Sequence, residues 1–198
     1  MPPRPVFVVT GTSGAGKGTI ERELLARMPE LELAISATTR PQREGEENGR
    51  EYWFISDEEF DRKLAAGEFL EHIVFDWGQR SGTLRSEIDR ILDAGRIPIL
   101  DLETEGALRL ARTRSVGAVT IFVKAPSFEE NERRLRDRAT ESEGEIEERL
   151  ELARRQLAQE DRFDHVIEND DLDHAVDELE TIVRGALRSA ATGTVSRP

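Results

Sequence analysis

The 198-residue chain contains no cysteine, which excludes a disulfide-stapled fold. Lysine is confined to Lys17, Lys63 and Lys124, so positive charge is carried almost wholly by arginine, whose planar fork grips phosphate bidentately. No apolar run reaches the length of a membrane span or a secretion signal, and the chain reads as a soluble cytoplasmic protein. Internal repeats and long linkers are missing as well, which favours one compact domain. Positive charge is in deficit: 41 acidic against 28 basic residues leave a net charge of −13. Such a surface repels phosphate polymers and argues against both nucleic acid and an anionic membrane as partners. A site for a small phosphate ligand must therefore be locally basic.

What is there begins with "VFVVTGTSGAGKGTIERELLARM". An apolar strand leads through three glycines into a helix whose Ile20, Leu24 and Met28 recur at helical spacing. A glycine-rich turn into a helix start exposes successive backbone N–H groups at the positive end of the helix dipole, where phosphate binds. Gly11, Gly16 and Lys17 meet the phosphate-loop spacing G-x-x-x-x-G-K, but Gly18 stands where a Ser or Thr hydroxyl would face magnesium, and Thr19 comes one residue late.

Further along, apolar runs and helical patterns alternate. "LELAIS", "FLEHIVF", "IPILD", "VTIFV" and "HVIEN" read as strands. Ser56 with Glu59, and Ser127 with Glu130, have the spacing of capping boxes, opening helices that end near Gly67 and Arg138. "LRSEIDRILDAG" puts Leu84, Ile88, Ile91 and Leu92 on one helical face, and a last helix carries Ala175, Val176, Leu179, Ile182 and Val183. The stretch 189–198 reads as frayed. Continuous β-branched strands alternating with helices imply an α/β fold, a parallel sheet covered on both faces with its ligand at the carboxyl ends of the strands, where Gly11, Asp101 and Asn169 fall.

Between residues 37 and 56 no helical period appears, yet Arg40 and Arg43 flank a proline and precede Gly45, Gly49 and Tyr52. Two forked cations and a phenol could converge there on one phosphate, the alternative being a solvated charged loop. "SATTRPQREGEENGREYWFIS" resembles the acceptor-binding segment of guanylate kinases, with Ser36, Thr38, Thr39, Arg40, Arg43, Gly45, Glu46, Gly49 and Tyr52 on the family pattern. The resemblance continues through "GEFLEH", "ILDLETEGA", "RRLRDRATESEGEIEERL" and "VIENDDLDHA", spanning about residues 5–188.

The resemblance implies a P-loop nucleoside monophosphate kinase fold: a five-stranded parallel sheet flanked by helices (about 5–35 and 96–188), an inserted GMP-binding subdomain (about 36–90) and a small helical lid (about 135–150). It implies ATP as phosphoryl donor, held by Gly11, Thr12, Ser13, Gly14, Ala15, Gly16, Lys17, Gly18 and Thr19, with Arg134, Arg138 and Asn169 beside it. GMP would meet Ser36, Arg40, Arg43, Glu46, Tyr52, Glu71, Ser81, Thr83 and Glu103. Lys17, Arg40, Arg43, Arg134, Arg138 and Arg149 would serve catalysis, and Asp101 would hold Mg²⁺ through water. The chain departs from the family pattern at Gly18, at Ser81 in place of a tyrosine (with Arg80 or Trp77 as substitutes for its phosphate contact), at Glu103 in place of an aspartate, at Glu105 for a glutamine and at Ala139 in the lid. Three readings follow: a guanylate kinase, a kinase of the same fold with another acceptor, or a non-catalytic binding module. Retention of Lys17 and the lid arginines argues against the last.

Overall fold

The computed structural model describes residues 5–75, 78–113, 117–137 and 143–192. In chain order the elements are β1 (Val6–Gly11), α1 (Lys17–Arg27), β2 (Leu31–Leu33), β3 (Ala37–Thr38), β4 (Trp53–Phe54), α2 (Asp57–Ala65), β5 (Phe69–Val74), β6 (Arg80–Leu84), α3 (Arg85–Asp93), β7 (Ile97–Asp101), α4 (Thr104–Thr113), β8 (Ala118–Lys124), α5 (Phe128–Asp137), α6 (Glu143–Leu157), β9 (His165–Glu168) and α7 (Leu172–Thr192). Five strands form a parallel sheet in the order β2-β7-β1-β8-β9. Every residue of the central β1 is buried. Phe7 and Val9 face Ile20 and Leu24 of α1, its C-cap Met28, and Val176, Leu179 and Val183 of α7, whereas Val6 and Val8 face Ile88 and Ile91 of α3 and Leu108 and Leu110 of α4. A strand buried on both faces has no polar positions to alternate, which is why its sequence is a continuous apolar run.

Residues 37–84 build a second sheet, ordered β4-β3-β6-β5. Here β5 and β6 are antiparallel, as are β3 and β6. Its small core contains Ala37, Phe60, Phe69 and Leu84, with the Phe60 and Phe69 rings stacked 4.4 Å apart. The strand read in "FLEHIVF" therefore pairs with β6 rather than joining the parallel sheet. Leu84, placed by its spacing on the following helix, is the last residue of that partner strand.

Three further differences have local causes. "LELAIS" is strand only as far as Leu33, because the Ile35 N–H leaves the sheet direction and donates to Glu87 Oε1 at 3.1 Å. The segment 104–113, with no cap to announce it, is helix α4. The last helix continues to Thr192, into the stretch read as frayed. Both serine caps form on one side, Ser56 Oγ accepting from the Glu59 N–H and Ser127 Oγ from the Glu130 N–H, each at 3.1 Å. Beyond Asp137, Arg138 and Ala139 lie outside the described residues. On α5 and α6, Leu135, Ile146 and Leu150 form a small cluster with Phe128. Among the described residues no helix is long and apolar enough to cross a membrane.

Leu24 is fully buried where α1, β1 and α7 meet. Leu24→Ala should cost about 2–5 kcal/mol in urea denaturation; a loss under about 1 kcal/mol would mean that α1 is not seated on the sheet as described.

Candidate active site

The loop from Gly11 to Gly16 ends in a left-handed turn, with Gly16 at φ 86° capping α1. A Cβ there would lie 2.6 Å from Asn169 Nδ2, so only glycine fits both the turn and the neighbour. The Gly14, Gly16, Lys17 and Gly18 N–H groups, at the start of the helix, have no acceptor among the described residues. The rest of the loop is held from behind. Asn131 Nδ2 donates to the Ser13 carbonyl at 2.9 Å while its Oδ1 accepts from Thr12 Oγ1 at 3.2 Å. Gln156 Oε1 accepts from the Ser13 N–H at 3.2 Å, and Asn169 Nδ2 donates to the Ala15 carbonyl at 2.7 Å. Thr19 follows in the first turn of α1, its N–H given to the Gly16 carbonyl at 3.0 Å. Asn131 and Gln156 were missed in the sequence, where a single amide on a helix carries no signal. Asn169, matched there to a position near the donor base, has its amide on the loop.

Lys17 opens α1, and its ammonium donates to Asp101, which ends β7 opposite Val9. Burial alone would lower the Lys17 pKa, but Asp101, Glu21 and Glu103 outweigh it and hold it above its ordinary value. Glu21, one turn along α1, is buried, and its Oε1 has no hydrogen-bond partner among the described residues. Burial, and then the Asp101 charge, push it up to about 8 against the pull of Lys17, so it is mostly protonated at neutral pH. Burial also raises Glu103, opposed by Lys17 and assisted by Asp101.

One cavity of ≈ 140 Å³ joins Lys17 and Asp101 to Ser36, Tyr52, Glu71, Ser81 and Glu103, with Ile73, Phe75, Gln79 and Leu102 completing its wall. Glu71 on β5 is nearly buried, and both the N–H and the hydroxyl of Thr83 on β6 donate to its Oε1 at 2.9 Å. Burial raises its pKa, opposed by Thr83 and by the Arg109 charge. Its Oε2 lies where a Cβ on Gly106 would come within 2.6 Å, so a glycine inside α4 makes room for this carboxylate. Tyr52 remains a protonated phenol, its pKa raised by burial and Asp101 against the pull of Arg40 and Lys17. The Ser81 hydroxyl donates to the Ala37 carbonyl at 3.1 Å.

Among the described residues, no arginine is in the wall of the cavity. Arg40 is clamped on Glu46 through two hydrogen bonds, of 2.7 and 2.9 Å, and lies 5.4 Å from the ring centroids of Tyr52 and Phe54. That clamp, with the Arg43 N–H, brings the Glu46 pKa down to about 2. The Arg43 side chain is exposed. Arg134 on α5 donates to Glu130 at 2.7 Å and to the Asn169 carbonyl at 3.0 Å, which places it against the back of the loop. Arg149 is half-buried on α6. Arg80, a candidate replacement for the phosphate-contacting tyrosine, turns the other way, bonding to Asp57 and Asp61 and lying 4.6 Å from the Phe60 ring centroid. The other candidate, Trp77, lies outside the described residues.

A phosphate loop at the carboxyl edge of a parallel sheet, opening onto a pocket made by an inserted second sheet, defines a P-loop kinase. The family model described as guanylate kinase matches residues 3–186, and the chain belongs to that family. It is 47% identical over 176 residues to a guanylate kinase of Parasynechococcus marenigrum, covering 89% of this chain and 96% of the relative. A guanylate kinase of Rubrobacter xylanophilus is 45% identical over 179 residues, with 90% and 93% covered. Among solved structures, the guanylate kinase from Anaplasma phagocytophilum superposes with a TM-score of 0.73 at 28% identity, covering 93% of this chain and 87% of that one.

The buried Glu21 gives a pH signature. An unfolded glutamate ionises near its ordinary value of 4.5, while the folded one holds its proton to about 8. Between those values the unfolded state binds fewer protons, so this residue makes stability fall as pH rises. Glu21→Gln removes that loss. In thermal melts the variant's gain over wild type should be at least ~3 °C larger at pH 8 than at pH 5. An equal offset at both pH values would mean that Glu21 is ionised in the fold.

Proposed function

We propose that this cavity is where the chain transfers the γ-phosphoryl group of ATP to GMP, giving ADP and GDP. The observation that carries the reading is that one pocket joins the loop lysine and the strand-end Asp101 to the carboxylates and hydroxyls expected for a guanine nucleotide. On the donor side, the unpaired N–H groups of Gly14, Gly16, Lys17 and Gly18 receive phosphate oxygens, with Lys17 turning from Asp101 to the β- and γ-phosphates. On the acceptor side, Arg40, Arg43 and Tyr52 hold the GMP phosphate, Ser36 and Ser81 border it, and Glu46 gives up its hold on Arg40. Glu71 accepts from N1–H and the 2-amino group of guanine, Thr83 reaches the O6 side, and Glu103 accepts from the amino group.

In the transfer, an oxygen of the GMP phosphate bonds to the γ-phosphorus in line with the β–γ bridging oxygen, whose bond breaks with its electron pair staying on ADP. Charge spread over the three γ-oxygens is met by Lys17, Arg134, Arg138 and Arg149, the last two carried by a lid that closes once both nucleotides are seated. The donor set fits Mg²⁺. No group of three or more ligating side chains exists among the described residues, and Mg²⁺ keeps most of its water and binds through one or two carboxylates plus phosphates. Asp101 would hold it through water, and the ion would neutralise charge shared between the phosphates.

Lys17→Ala should lower kcat at least about 100-fold in an ADP-release assay, because its charge acts on the transferring group rather than on packing. Comparable turnover would sink the donor assignment. Glu71→Gln places a donor against a guanine donor and should raise the KM for GMP at least tenfold, about 1.4 kcal/mol, with that for ATP little changed. Unchanged GMP kinetics, or a wild type that prefers AMP in a panel of nucleoside monophosphates, would instead favour another acceptor.

A further inference from the structure

Gln156, in the last turns of α6, is 4% exposed and touches both halves of the cleft. Its Oε1 accepts from the Ser13 N–H in the phosphate loop at 3.2 Å, and its Nε2 donates to Glu103 Oε2 in the acceptor pocket at 3.4 Å. The orientation of the amide is fixed by chemistry, since only an oxygen can accept from an N–H and only a nitrogen can donate to a carboxylate. Neither end is interchangeable with water at this burial. We propose that Gln156 is a positioning residue that ties the donor-phosphate loop to the acceptor carboxylate Glu103, so that one amide sets the geometry of both nucleotide sites. This rests on the reading that Glu103 borders the guanine. The helix that carries the amide also carries Arg149, so its placement is shared by loop, pocket and lid.

Two substitutions separate the two ends. Gln156→Glu keeps an acceptor for Ser13 but sets a carboxylate against Glu103, and should raise the KM for GMP at least tenfold while that for ATP stays within twofold. Gln156→Leu, similar in volume, loses both bonds and should raise both KM values at least fivefold. Thermal melts confirm that each variant is folded at the assay temperature, and titration calorimetry with GMP alone repeats the acceptor measurement on any variant too slow to assay. A Gln156→Glu protein whose two KM values move together, or not at all, overturns the proposal. Glu103→Gln serves as the control. If it weakens GMP while Gln156→Glu does not, the tie is wrong and the acceptor reading stands. If Glu103→Gln leaves GMP binding unchanged, the role of Glu103 falls and the tie falls with it.

Discussion

The Lys17 ammonium stands between Asp101 at the end of β7, Glu21 one turn along α1, and Glu103 just past the strand. Three ionised carboxylates around one cation would leave the floor of the cleft negative in a chain that already carries −13. Protonation of Glu21 removes one of those charges, at the cost of a buried oxygen with no partner among the described residues. Phosphates entering this floor add negative charge again. On the proposed reading, a nucleotide would need positive charge drawn from elsewhere: the helix start, arginines on separate segments and a cation travelling with it.

The two sheets divide the work by stiffness. The parallel sheet, buried on both faces, fixes the loop and Asp101 to strands that cannot shift without breaking a close-packed core. The smaller sheet rests on a few aromatic and aliphatic side chains and reaches the larger unit through α4, where Arg109 donates to the His72 carbonyl at 3.0 Å and Gly106 admits the Glu71 carboxylate. The glycine loop and Asp101 thus sit on the sheet buried on both faces, and Glu71 lies at the seam between the two sheets.

How far the sequence could be read depended on whether a feature is local. The glycine loop, the apolar strands and the serine caps are determined by neighbours in the chain, and each was visible as spacing. Strand β6 was not, since "RSGTL" has neither alternation nor a β-branched run; its Gly82 is needed because a Cβ there would come within 2.6 Å of the Glu71 carbonyl. Helix α4 lacked a cap. Asn131, Gln156 and Glu87 were invisible for a different reason. Each makes a hydrogen bond to backbone more than 50 residues away, and such a bond leaves no periodic trace. The arginines were legible as cations, whereas their resting partners, Glu46 above all, were not.

The clamp between Arg40 and Glu46 gives the acceptor side a resident counter-ion. Its guanidinium already lies 5.4 Å from two aromatic ring centroids and is held at two nitrogens, so little side-chain freedom would remain to be lost were a phosphate to replace the carboxylate. The exchange is one anion for another and runs equally well in reverse. On the proposed reading, Glu46 is the group to which Arg40 would return after transfer. An internal competitor of this kind would limit how long a product phosphate dwells in the cleft, trading tight binding for turnover.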